Sequence, residues 1–243
     1  MGKKVLQELE PWNLSYKMSV QAKPSWSRHG LPYLFDEFIA LVKKNGDGTN
    51  HLDIGCGDGV KTVNYALNGL NTVGIDISND GFREARDLIK ELKIPKKCKV
   101  IKASCLKLPF APGTITSASD TLCFTHLQEK DHHRYKKQLQ RVLQEGSLVM
   151  MVLFSDKDQH FHGHPVSKGY SFKFDSDNPT MAGFAHYHGM YNVHFGKSDI
   201  KESFEDLFKI VKMVEVPHPL YDYRYLWNII LQKPVQKNAG QTN

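Results

Sequence analysis

"HLDIGCGDG", residues 51–59, runs from a short apolar stretch into three glycines at every second position, Gly55, Gly57 and Gly59, with an acid, Asp53, two places ahead of the first. "VKTVNYAL" then continues with helical spacing. Glycines at such a strand-to-helix turn let the backbone take positive φ and let a ligand lie against the main chain. A triphosphate loop is excluded, because Gly59 is followed by Val60 and Lys61 rather than by Gly-Lys-Ser/Thr. The dinucleotide fingerprint G-x-G-x-x-G also fails, since the spacing here is G-x-G-x-G with Val60 where the third glycine would stand. Asp53 would repel a pyrophosphate, but it would attract a ligand that carries an ammonium group.

Outward from this turn, β-rich runs alternate with helical patterns, as βαβ units and a mostly parallel sheet require. Strands are expected at His51–Ile54, Thr72–Asp76, Lys99–Ala103, Thr116–Thr121, Ser147–Phe154, Phe208–Val216 and Tyr225–Lys233. Helices are expected at Leu31–Lys44, Val60–Leu67, Gly81–Leu92, Lys130–Leu143 and Asp199–Leu207. "RVLQEGSLVMMVLF", residues 141–154, reads as a helix that ends near Gly146 and passes into a buried strand. The 243 residues, 40% of them hydrophobic, suffice for one domain. Residues 157–197 resist the alternation, yet they carry Phe161, Tyr170, Phe172, Phe174, Phe184, Tyr187, Tyr191 and Phe195, too many aromatics for a solvated linker. They read as a cap inserted over the end of the sheet, and "GYSFKF" within it alternates like a strand.

A second acid closes "NTVGID": Asp76, seventeen residues past Gly59, stands where a carboxylate accepts hydrogen bonds from both hydroxyls of a ribose. Ribose and an amino-acid ammonium without phosphates describe S-adenosyl-L-methionine. With these residues, "LPF" after the third strand, "RVLQEGS" and "LWNIILQK", the chain from Thr49 to Phe154 resembles the class I S-adenosylmethionine-dependent methyltransferases. The resemblance implies an α/β fold with a Rossmann-like seven-stranded, mostly parallel sheet, an antiparallel last strand and the inserted cap. Residues 1–48 would form an N-terminal lid and lead helix, 49–156 the cofactor-binding core, 157–197 the acceptor cap, 198–233 the C-terminal part of the sheet and 234–243 a tail.

Carried over by position, Asp53, Gly55, Gly57 and Gly59 match the family's first motif, Asp76 its ribose-binding acid, and Ile77 the neighbour expected to touch adenine. "ASCLKLPF", residues 103–110, resembles the third segment; Ser104 stands where an acid usually meets the adenine amino group, leaving that contact to its hydroxyl or to the backbone of Cys105 and Leu106. "SASDTLCFTHL", residues 117–127, is similar to the fourth strand and its exit, which puts Asp120, Thr121 and His126 near the methionine portion or the acceptor. Tyr16 and Trp26 are the lid residues expected to close over the cofactor.

Methyl transfer is an in-line displacement, so the protein aligns the nucleophile and excludes water, and histidine is the side chain poised to take a proton near neutral pH. Six of the twelve histidines, His160, His162, His164, His186, His188 and His194, crowd into residues 160–194. His126, His186 and His188 are the candidate catalytic bases; a turn-holding role competes for His126. "HFHGHP" has the spacing of metal ligands on a strand, but Gly163 and Pro165 interrupt it and neither cysteine nor paired carboxylate completes the set, so no metal is expected.

The expected reaction is methyl transfer to a small-molecule acceptor under the cap. The alternatives are methylation of RNA or protein and a non-catalytic, cofactor-binding partner subunit. No Asn/Asp-Pro-Pro-aromatic tetrad follows the fourth strand, as adenine-N6 enzymes would carry, and no catalytic cysteine follows a proline there. The +6 charge is concentrated in Lys90, Lys93, Lys96, Lys97, Lys99, Lys102 and Lys107, and residues 90–107 hold no aromatic stacking platform, so a solvated edge strand is expected rather than a nucleic-acid track. Cys56, Cys98, Cys105 and Cys123 form no C-x-x-C pair and read as reduced thiols. No apolar run is long enough for a membrane span, and a cytoplasmic setting is expected.

Overall fold

The computed structural model describes residues 30–46, 50–157, 164–165, 171–173, 190–218 and 221–235. Helix α1 (Phe35–Lys44) leads into β1 (Asn50–Ile54), α2 (Val60–Leu67), β2 (Asn71–Asp76), α3 (Asn79–Glu91), β3 (Cys98–Lys102) and β4 (Ile115–Thr121). A 3-10 turn (Phe124–His126) precedes α4 (Glu129–Val142) and β5 (Leu143–Ser155). Three further strands, β6 (His164–Pro165), β7 (Ser171–Lys173) and β8 (Tyr191–Phe195), precede α5 (Lys197–Phe204), β9 (Lys209–His218) and β10 (Tyr221–Gln232). The seven strands read from the sequence lie in the order β3-β2-β1-β4-β5-β10-β9. The first five are parallel, and β10 runs antiparallel to both β5 and β9. This is the mixed α/β sheet that the sequence implied. Among the described residues no helix is long and apolar enough to cross a membrane.

Every second residue of a strand faces the same way, and the helices divide accordingly. Val149, Met151 and Leu153 of β5 pack with Leu52, Ile54, Leu139 of α4 and Phe204 of α5. Leu148 and Met150 turn to the opposite layer and meet α1, whose Phe35, Phe38, Ile39 and Val42 recur at the spacing of one helical face. The lysine-bearing strand β3 is indeed a sheet edge, and all seven lysines between 90 and 107 are exposed.

Two local readings are corrected. Helix α4 stops at Val142 and β5 begins at Leu143, so Gly146 lies inside the strand rather than past the helix. There its φ of 76° accommodates a bulge: Ile115 pairs with Leu143 while Ser117 already pairs with Leu148. Strand β8, which the alternation did not reveal, pairs in parallel with the tip of β5 at Phe154↔His194 and Ser155↔Phe195. Leu226 of β10 occupies the other edge of Phe154, so β8 continues the line of β4 beyond its last pair, Thr121↔Val152. Antiparallel β7 and β6 extend outward from β8, and β7 falls within "GYSFKF". Val193 and Phe195 of β8, at the far end of the expected cap, are buried in the main core.

Candidate active site

Strand order reverses between β1 and β4, and the carboxyl ends of parallel strands at such a switch point frame a crevice. The glycine turn forms its floor. A Cβ on Gly55 (φ 68°) would stand 2.5 Å from Cys123 Cβ, and one on Gly59 (φ 78°) 2.6 Å from Ala85 Cβ of α3, so neither position admits a side chain. The turn is pinned to the next strand: Cys56 N–H donates to Ile75 O at 2.9 Å, and Gly57 N–H donates to Asp76 Oδ2 at 2.9 Å.

Asp76 also accepts Ser78 N–H on Oδ1 at 2.7 Å. Burial raises its pKa, and the N–H groups of Ser78, Gly57 and Ile77 work against that rise. Gly57 N–H holds Oδ2 and Ser78 N–H holds Oδ1, which fixes the carboxylate with both oxygens as acceptors, the group that two vicinal hydroxyls require. Beside it, Ile77 is half-buried, as are Ser104, Cys105 and Leu106 across from it. Ser104 Oγ accepts Leu106 N–H at 3.2 Å, which fixes the segment after β3 as a tight turn.

Asp53 is 2% exposed, and both its oxygens are engaged within the fold, by Thr62 Oγ1 at 2.6 Å and Ser119 Oγ at 2.8 Å. Desolvation raises its pKa to about 6 against these hydrogen bonds. Its carboxylate is therefore held within the fold by side chains of α2 and β4. Asp120 and Thr121, neighbours in sequence, face opposite layers. Asp120 is fully buried on the α4 side, where it accepts Tyr135 Oη at 2.6 Å and the N–H groups of Cys123 and Phe124. It thus caps the turn that leaves β4 and does not share the face of Asp53. Thr121 does share it, and its Oγ1 is buried with no hydrogen-bond partner among the described residues. An orphaned hydroxyl at the mouth of the crevice, bare glycine backbone and a doubly anchored carboxylate fit a ribose-bearing amino-acid cofactor.

Beyond β4 the turn is strained, with Leu122 at φ 69°. It delivers Leu122 into an apolar cluster with Val152, Phe154 and Leu226. Polar groups ring Phe154: His194 stacks on it at 5.0 Å between centroids, His126 meets it edge-on at 5.7 Å, and Arg224 lies 5.5 Å from its centroid. His126 Nδ1 is 2.9 Å from Tyr191 O; a carbonyl can only accept, so Nδ1 carries the proton and Nε2 keeps its lone pair. Burial lowers the His126 pKa to about 4.

The structure thus brings together Asp53, Gly55, Gly57, Gly59, Asp76, Ile77, Ser104, Cys105, Leu106 and Thr121 around one crevice, while His126 lies past the end of β4 against Phe154. Tyr16, Trp26, His186 and His188 lie outside the described residues. Among the described residues no His, Cys, Asp or Glu cluster could hold a metal ion. Sequence reading missed Ser117, Ser119, Thr62 and His51, although "SASDT" carries a hydroxyl at every second position of a strand destined for the interior.

A methyltransferase-domain family model matches residues 52–146. The sterol 4-C-methyltransferase strm-1 of Caenorhabditis elegans is 30% identical over 108 residues, 44% of this chain and 32% of that protein, so the chain spans about a third of that relative's length. A SAM-dependent methyltransferase from Methanosarcina mazei superposes with a TM-score of 0.67 at 21% identity, covering 85% of this chain and 99% of the other. The 1,6-didemethyltoxoflavin-N1-methyltransferase of Burkholderia thailandensis, with bound 1,6-didemethyltoxoflavin and S-adenosylhomocysteine, gives 0.70 at 16% identity, covering 96% and 88%.

Proposed function

We propose that the chain is a class I S-adenosylmethionine-dependent methyltransferase, the family that its matched domain and its fold resemble, and that it methylates a compact small molecule with an apolar body. The observation that carries this reading is the adjacency of two environments: the anchored acids of the glycine crevice, and the Leu122, Val152, Phe154 and Leu226 wall just beyond β4. S-adenosylmethionine supplies, when bound, an electrophilic methyl group on a sulfonium. The chain's part is to hold the ribose hydroxyls on Asp76, to take the adenine against Ile77 and the Ser104–Leu106 turn, and to offer Thr121 Oγ1 to the amino-acid end.

On the acceptor side the apolar wall excludes water, and His126, His186 and His188 are the candidate bases for the nucleophile's proton. A sterol methyltransferase and an N-heterocycle methyltransferase among the similar proteins support a compact, largely apolar acceptor over RNA or protein.

The test is S-adenosylhomocysteine titration by calorimetry, followed by transfer of labelled methyl from S-adenosylmethionine to panels of sterols, N-heterocycles, RNA and protein. Micromolar binding with label in a small molecule is expected. Label in RNA or protein alone would replace the acceptor class, binding without any transfer would favour the non-catalytic partner subunit, and no binding at millimolar ligand would end the reading. If His126 is the base, H126Q lowers kcat at least about tenfold with cofactor affinity unchanged. Because its pKa is about 4, the acid limb of the wild-type rate then falls well below pH 6.

A further inference from the structure

Beneath the crevice lies a row of buried polar side chains that apolar packing does not explain. His51 and Asp53 of β1 point to the same layer as Ser117 and Ser119 of β4, in register at His51↔Ser117 and Asp53↔Ser119. His51, Ser117 and Ser119 are 0% exposed. His51 Nδ1 is 2.9 Å from Ser117 Oγ, its Nε2 is 3.0 Å from Ser119 Oγ, and Tyr65 packs on the ring with centroids 4.1 Å apart.

The proton order follows from valence. An ionised Asp53 can only accept, so Ser119 donates to it; Ser119 must then accept from His51, which puts the imidazole proton on Nε2; Nδ1 is left as an acceptor for the Ser117 hydroxyl. We infer that His51 and Ser119 are positioning residues, forming with Ser117 a directional hydrogen-bond chain that orients Asp53 beneath the glycine turn and reverses direction when Asp53 takes up a proton. In the reversed chain the Asp53 O–H donates to Ser119, Ser119 donates to His51 Nε2, and His51 Nδ1–H donates to Ser117. One proton has come from solvent and the imidazole has changed tautomer without gaining charge.

Burial favours this outcome over an imidazolium, holding the His51 pKa down to about 3 while lifting Asp53 to about 6. The other titratable groups around Asp53 are Lys61 and Tyr65 of α2, Cys56 of the turn, Asp76 of β2, Cys98 of β3 and Asp120 of β4; Lys61 favours the carboxylate and Asp76 opposes it. A cationic cofactor above the turn favours the carboxylate as well, and so locks the chain in its first direction. That last step rests on the proposed cofactor reading; the chain itself does not.

The experiment is a pH titration of the full chain with 15N-labelled histidine, following two-bond proton–nitrogen correlations of His51, without and then with saturating S-adenosylhomocysteine or its cationic analogue sinefungin. Expected are the Nε2–H tautomer at pH 7.5, conversion to Nδ1–H without imidazolium as pH falls through about 6, and displacement of that conversion to lower pH by sinefungin more than by S-adenosylhomocysteine. An Nδ1–H tautomer at pH 7.5, or an imidazolium by pH 5, overturns the chain whatever the cofactor does. A conversion that sinefungin leaves in place, although calorimetry shows it bound, overturns only the coupling; absence of binding strikes the cofactor reading instead. S119A should weaken S-adenosylhomocysteine binding about tenfold, the worth of one hydrogen bond to a charged acceptor, and S119T should restore it. Equal affinities in S119A and wild type would remove the positioning role.

Discussion

Asp76 joins two jobs that its substitution separates. Its carboxylate draws the glycine turn toward β2 through Gly57 N–H and starts α3 through Ser78 N–H. The ribose would add two further hydrogen bonds to a charged acceptor, about 1.5–3 kcal/mol each. Asp76→Ala should therefore weaken S-adenosylhomocysteine binding at least about 100-fold by calorimetry, while thermal unfolding moves by a few degrees; binding within threefold of wild type would take the ribose off Asp76. This acid was legible in the sequence because it follows a glycine-containing apolar run at the spacing of one βα unit. Asp120 was legible only as an acid near the site. Which layer it faces depends on the register of β4 against β1, a pairing across 66 residues that no local pattern records.

Among the elements, those with strong periodicity were read to within a few residues, and the departures have local causes. Helix α3 ends in a motif that usually calls for glycine: Lys93 stands at φ 55°, Lys93 N–H donates to Lys90 O, and Ile94 N–H reaches back to Ile89 O at 3.3 Å, with both isoleucines in one apolar cluster. A left-handed residue with a Cβ costs about 1–2 kcal/mol, part of which glycine returns as unfolded-state entropy. Lys93 is exposed, so Lys93→Gly should stabilise by about 0.5–1 kcal/mol and raise Tm by about 2–4 °C; a lower Tm would mean that its side chain holds the helix end. Strand β8 escaped notice for the opposite reason. "YNVHF" buries Asn192 and His194 as deeply as Val193 and Phe195, so polarity does not mark which side faces the interior.

At the scale of the whole molecule, the buried polar layer sets how stability responds to pH. His51, His126 and His132 have pKa values pushed by burial to about 3, 4 and 4. The unfolded chain takes up their three protons below about 6.5 while the folded chain refuses them, so their contribution is fully present above 6.5 and is lost as pH falls toward 4. Asp53 and Asp120 act in the other direction. With folded pKa values near 6 and 7, they keep protons that the unfolded chain releases above about 4, and that contribution is lost as pH rises toward 7. Between pH 4.5 and 6 these five groups leave a net difference of about one proton, a slope of about 1.4 kcal/mol per pH unit toward higher stability at higher pH. Asp120→Asn removes one of the two opposing acids. It costs stability at every pH, since an amide cannot accept from Tyr135 and from the N–H groups of Cys123 and Phe124 together, but its distinctive mark is the slope, which should steepen to about twice the wild-type contribution. Urea unfolding of both proteins at pH 4.5, 5.5, 6.5 and 7.5 reads this directly: the stability gap should widen as pH falls from 7 to 4.5. A gap that stays constant would mean that Asp120 is already ionised across this range, held so by its three donors, and that the layer beneath the α4 side carries a fixed negative charge.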